Sequence, residues 1–153
     1  MMQKERPKKT MFLSLLVVSS TLWGCSQKIT VSNLPSLVKN SLQAKFPAAT
    51  AIEWEKNGAN YEAEFQMAQV EYTALYDSTG HLISYKQDIL APEKPEAVAL
   101  ALKKEFPTYQ LDDLEKLVQG DSVYYQVELE EHLKEVKRVY AANGASASIP
   151  YWD

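Results

Sequence analysis

Residues 34–67 read LPSLVKNSLQAKFPAATAIEWEKNGANYEAEFQM, and the change of rhythm inside them decides the fold. Leu34, Val38, Leu42 and Phe46 recur at every fourth position, a stripe along one face of a helix. Asn33 is placed to cap that helix. Pro35 falls near its first turn, where a missing amide hydrogen costs nothing, and Pro47 stops it. The period then drops to two. Tyr61, Ala63, Phe65 and Met67 point one way and Glu62, Glu64 and Gln66 the other, as in a strand with one face packed and one in water. Residues 51–56 give a shorter strand before it, with Ile52 and Trp54 inward. Residues 70–77 give the next, with Tyr72 and Tyr76 on the core side, and Ser78-Thr79-Gly80 turns into a strand at 81–86. A helix followed by antiparallel strands on tight turns is an α+β unit.

The unit occurs twice. Pro35, Val38, Leu42, Phe46 and Pro47 return as Pro95, Val98, Leu102, Phe106 and Pro107, all 60 positions later, and Glu55-Lys56 returns as Glu115-Lys116. The second copy then runs four residues longer. Tyr61, Glu64, Glu71, Tyr76 and Gly80 match Tyr125, Glu128, Glu135, Tyr140 and Gly144 at an offset of 64. The expected organisation is a first repeat over 33–90 and a second over 91–153, sharing one domain. Tyr151 and Trp152 complete the final strand in the favoured reading; a recognition tail is the alternative.

What precedes the repeats reads as an address. Residues 1–10 carry Lys4, Arg6, Lys8 and Lys9 against Glu5, and a mostly apolar run of 12 residues follows at 11–22. A membrane-spanning helix needs about 20 apolar residues, so the run is a secretory leader rather than a span. It ends in Leu22-Trp23-Gly24-Cys25, which resembles the lipobox of bacterial lipoproteins, with Trp23 where a small residue is commoner. The resemblance implies cleavage after residue 24, a diacylglyceryl group on Cys25, and a membrane anchored through that lipid, expected on the periplasmic side of the outer membrane. A plain secretory leader cut elsewhere is the competing reading. Residues 25–32 would then be a polar tether. Losing 1–24 removes four basic and one acidic side chain from totals of 16 and 20, leaving a net charge of −7. That sign gives no counterion-release drive toward nucleic acid. No cysteine lies beyond Cys25, so no disulfide supports the body, which is long enough to be stable without one.

The Pro-led helix, Phe46-Pro47, Ile52-Glu53-Trp54, the Tyr-Glu-Ala-Glu-Phe strand at 61–65 and the turn from Tyr76-Asp77 to Gly80 together resemble the PepSY-like family of secreted bacterial proteins, which are beta-lactamase-inhibitor-like. The resemblance spans 33–152 in two copies. The second departs from the first, with Leu114 in place of Trp54 and Ala141 in place of Asp77. It implies two helix-plus-antiparallel-sheet repeats joined into one curved sheet with helices on one face, no enzymatic activity and no cofactor. In inhibitors of that architecture the open sheet face grips a hydrolase, which is an analogy of fold.

Chemistry-bearing motifs are sparse. Two histidines, His81 and His132, show no zinc spacing, and five scattered glycines form no phosphate loop. Asp112, Asp113 and Glu115 cluster without the glycine-centred loop of a calcium hand. The abundant group is the carboxylate: Glu62, Glu64 and Glu71 project from one face of the first copy and Glu128, Glu130 and Glu135 from that of the second, with Glu53 and Glu55 as additions. These six are the candidate interaction face, through which the module would hold an envelope protein or peptide. The alternative is an ion-binding or stress-buffering module using the same carboxylates. No catalytic residue and no metal ligand set is assigned.

Overall fold

The computed structural model describes residues 27–153, so the leader and Cys25 lie outside the described residues. Eight strands run antiparallel in chain order: β1 (Gln27–Lys28), β2 (Thr50–Asn57), β3 (Asn60–Met67), β4 (Val70–Tyr76), β5 (Leu82–Asp88), β6 (Gln110–Gln119), β7 (Ser122–Glu131) and β8 (Lys134–Ala141). Helix α1 (Ser36–Lys45) precedes β2 and α2 (Glu96–Glu105) precedes β6. The expected α+β architecture is the one observed: one curved sheet, both helices on the same face.

Each helix closes its own core. Leu34, Val38, Leu42 and Phe46 are buried with Trp54, Ala63, Phe65, Ala74 and Tyr76. Val98 and Leu102 are buried with Leu114, Val127, Leu129 and Tyr140. The period-four stripe therefore meets the period-two face of the strands, as the sequence requires. Asn33 does not cap α1. It belongs to a short 3-10 turn (Val31–Asn33), and the cap position is Pro35, whose fixed φ suits helix entry without a side-chain bond. Ile52 is also not inward. Ala51 takes a φ of 52° where the β2–β3 register slips between Thr50 and Glu53, and this bulge leaves Ile52 36% exposed.

The backbone hydrogen bonds at the helix ends and turns recur in the two copies. Phe46 N–H donates to Leu42 and Phe106 N–H to Leu102, both at 2.8 Å; Gly80 donates to Asp77 and Gly144 to Ala141. The match extends upstream into the stretch read as a tether: Ile29 N–H donates to the Trp54 carbonyl as Ile89 does to Leu114. Gln27–Lys28, which pair with β2, correspond to Gln87 and Asp88 at the end of β5. Strand β5 thus closes the first repeat and opens the second. Gly80 and Gly144 adopt φ of 84° and 80° and lie against the helices. A Cβ on Gly80 would stand 2.8 Å from the Leu37 carbonyl oxygen, and one on Gly144 would collide with that of Ala97.

The end of the chain breaks the pattern. Ser146 pairs with Tyr140 as Leu82 pairs with Tyr76, so a ninth strand begins where β5 would predict it. It stops there. Residues 147–153 carry no strand assignment, and Pro150 has no amide hydrogen for a ladder. The expectation that Tyr151 and Trp152 complete the final strand is therefore overturned. The segment crosses the open face of the sheet instead.

Candidate functional site

Register assigns the open face directly. Strand neighbours Glu53, Glu64, Thr73, Lys86, Leu117 and Tyr124 form one row across it, and Glu115 and Gln126 begin the next, all with parity opposite to the core residues. Lys86 and Glu115 form a buried ion pair at 3.0 Å. Gln126, fully buried, donates to the Glu115 carboxylate at 2.8 Å.

Trp152 lies on these groups. Its main-chain N–H donates to Gln126 Oε1 at 2.9 Å, and its carbonyl accepts from Gln126 Nε2 and from Lys86 Nζ, each at 2.9 Å. Its indole N–H donates to Glu62 Oε2 at 3.1 Å, and the Lys86 ammonium is 5.5 Å from its ring centroid. Glu62 and Gln126 are the same position in the two repeats, 64 apart, so the tryptophan bridges the repeats through an equivalent pair. One residue further, Asp153 pairs with Lys137 at 2.5 Å, and Lys137 sits 5.0 Å from the Tyr151 ring centroid.

Glu62, expected on a water-facing surface, is thus only 9% exposed. Burial raises its pKa, an effect opposed by the indole hydrogen bond. The other five candidates do not converge. Glu64 and Glu71 line a cavity of about 540 Å³ with Glu53, Asp88, Asp113 and Glu115, six carboxylates beside Lys86. Glu128, Glu130 and Glu135 line a separate one of about 230 Å³ with Asp112 and His132. Glu128 and Glu135 are also within reach of Lys137, at 3.5 and 3.7 Å. In the larger cavity the Asp88 carboxyl is held above the usual range, first by burial and then by the charges of Asp113, Glu115 and Glu71. Among the described residues no grouping of three His, Cys, Asp or Glu side chains is close enough to hold a metal ion. No helix among them is long and apolar enough to cross a membrane.

Sequence reasoning missed Lys86, Gln126 and Trp152 as parts of one site, and Asp88 as part of the acidic cavity. The available signal was the offset of 64, which aligns residues 146–152 with β5 and shows proline where β5 has Lys86.

An open antiparallel sheet of eight strands with two helices on one face defines the class: an α+β protein of BLIP-like fold. Among solved structures it is similar to a BLIP-like protein from Bacteroides fragilis, with a TM-score of 0.67 and 23% identity over 74% of this chain and 83% of that one. A protein from Bacteroides eggerthii assigned to the periplasm has a TM-score of 0.70 and 18% identity over 74% and 85% of the two chains. A DUF2874 family protein from Bacteroides uniformis has 0.69 and 18% over 73% and 85%. At these identities the likeness concerns the fold. No protein-family model and no curated protein matches the chain.

Proposed function

We propose that the protein is a non-catalytic module of the cell envelope, anchored through lipid on Cys25, that docks a protein or peptide partner on the open face of its sheet. The observation that carries this reading is the cavity of about 540 Å³ lined by six carboxylates, of which Glu115 pairs with Lys86 and Glu53 with Lys28 at its edge, so that acidic groups outnumber basic ones. Such a surface attracts a basic segment and repels an acidic one, so it favours partner choice and encounter rate. The periplasmic assignment of one structural neighbour, the BLIP-like name of another and the PepSY-like motifs support the placement and the docking role. Against catalysis, the buried Lys86, Glu115 and Glu62 are each engaged by one another or by Trp152 rather than turned to an open substrate site. The ion-binding alternative is less well supported, because among the described residues no three of these carboxylates are close enough to hold one metal ion.

The test is affinity capture from an envelope extract with the unaltered mature chain and with Glu64→Lys/Glu71→Lys, both exposed positions of the acidic cavity. A partner retained at low salt by the unaltered chain, released by salt and absent from the variant supports the reading. Identical capture by both chains removes the cavity from it. Anchoring is read separately: labelled fatty acid should enter the unaltered chain and not Cys25→Ala.

A further inference from the structure

We propose that the cradle of Glu62, Lys86 and Gln126 is a binding site for a tryptophan carried on an extended polypeptide segment of the partner, and that residues 147–153 occupy it in cis until displaced. This rests on the reading of the open face as a docking surface; it adds the side chain that the face selects and the device that keeps it closed.

The contacts are those of ligand recognition. A side-chain amide, Gln126, gives and accepts one hydrogen bond each with the main chain of Trp152, which any extended residue offers. Selectivity comes from the ring. Glu62 takes the indole N–H while Lys86 approaches the ring, and tryptophan supplies both a ring donor and the strongest cation-binding face.

The floor under the segment is not that of a permanent core. Five buried polar or charged side chains are found among the described residues: Glu62, Ser84, Lys86, Glu115 and Gln126. Register places all five on the open face, with the buried Leu117 and Val139 among them, whereas the face against the helices is packed almost wholly with apolar and aromatic residues. A sheet face covered for good is better served by apolar side chains, because each buried charge carries a desolvation cost. A floor on which five polar or charged side chains outnumber Leu117 and Val139 can meet water when its cover leaves. The cover is also lightly held at its end, where the Lys137–Asp153 pair is exposed to solvent.

A tethered segment competes with a free one at an effective concentration of about millimolar, so the closed cradle lowers apparent affinity for a partner by the fraction of time it is open. The experiment uses a labelled peptide of residues 145–153, ASASIPYWD, titrated into the chain with Trp152→Ala and followed by anisotropy. The peptide should bind this variant at least about ten-fold more tightly than the unaltered chain. Alanine in place of the peptide's tryptophan should weaken binding by about ten-fold or more. No binding to the folded variant, equal binding of both peptides, or failure of the variant to fold each overturns the proposal. Hydrogen exchange on the unaltered chain gives a second reading. Ala147 stays bonded to the Val139 carbonyl of β8 at 2.8 Å, so the amides of 148, 149 and 151–153 should open while β7 stays protected, and exchange in step with β7 overturns the cis-closure. Loss of partner capture by the Glu64/Glu71 variant, with no peptide binding here, would remove this inference and leave the docking reading standing.

Discussion

Tyr140 donates its hydroxyl to Glu105 at 2.9 Å, whereas Tyr76, at the equivalent place in the first repeat, has a buried hydroxyl with no partner. The cause is one substitution between the copies: α1 carries Lys45 where α2 carries Glu105, 60 positions on. Burial raises both phenols to about 12, with Glu105 adding to the effect at Tyr140. Equivalent backbone positions thus hold the same side chain in two states of satisfaction.

Phenylalanine at the two sites should therefore act with different sign. Tyr140→Phe removes a bond and leaves the Glu105 carboxylate without it, costing about 1 kcal/mol. Tyr76→Phe removes a desolvated hydroxyl that gains nothing, and should be neutral or stabilising by up to about 1 kcal/mol. Urea unfolding of both variants measures the difference; equal losses would mean that Tyr76 has a partner after all.

The turn glycines make a second matched pair. Gly80→Ala and Gly144→Ala each combine a left-handed φ with a contact against a helix carbonyl, so each should cost about 3 kcal/mol or more. Gly58 also has a positive φ, of 62°, but nothing lies within 4 Å of the added carbon. Gly58→Ala should cost about 1 kcal/mol, the backbone strain by itself. Thermal unfolding of the three variants separates strain from collision.

The sequence made the repeat, the helices and the strand faces legible because each rests on local periodicity: Val38 and Val98, or Ala63 and Val127, are buried where spacing says. Ile52 failed because a bulge at Ala51 is a pairing event between strands and leaves no period in one of them. Glu62 and Trp152 failed for a longer-range reason. Their contact spans 90 positions, and alternation assigns a side to Glu62 without saying what will cover that side. The acidic character of the face was readable; its division into two cavities was not, since strand alternation gives the side of each carboxylate and not its neighbours.

The Lys86–Glu115 pair should behave as a unit. Lys86→Met leaves a buried carboxylate held by Gln126 without its counter-charge and takes a donor from the Trp152 carbonyl, costing about 3 kcal/mol or more. Adding Glu115→Leu should recover much of the loss, since an apolar pair avoids both desolvation costs. A double-mutant cycle by urea unfolding reads the coupling; additive losses would show that the two charges stabilise the fold independently.

Glu62 gives a pH signature. Its carboxyl is raised above the ordinary 4.5, mainly by burial, so the native chain holds its proton to higher pH than the unfolded chain does. Stability falls wherever the native state binds more protons than the unfolded state and pH rises. Glu62 therefore contributes most below 4.5, and the contribution is lost as pH climbs through its native value. Glu62→Gln keeps an oxygen for the Trp152 indole and cannot ionise. Unaltered and variant chains should be alike in stability near pH 4, with the variant gaining relative stability towards pH 7. Asp88, also raised, is common to both and cancels in the difference. Urea midpoints taken from pH 4 to pH 7 measure it, and a difference that does not change with pH would mean that Glu62 ionises in the folded chain as readily as in water.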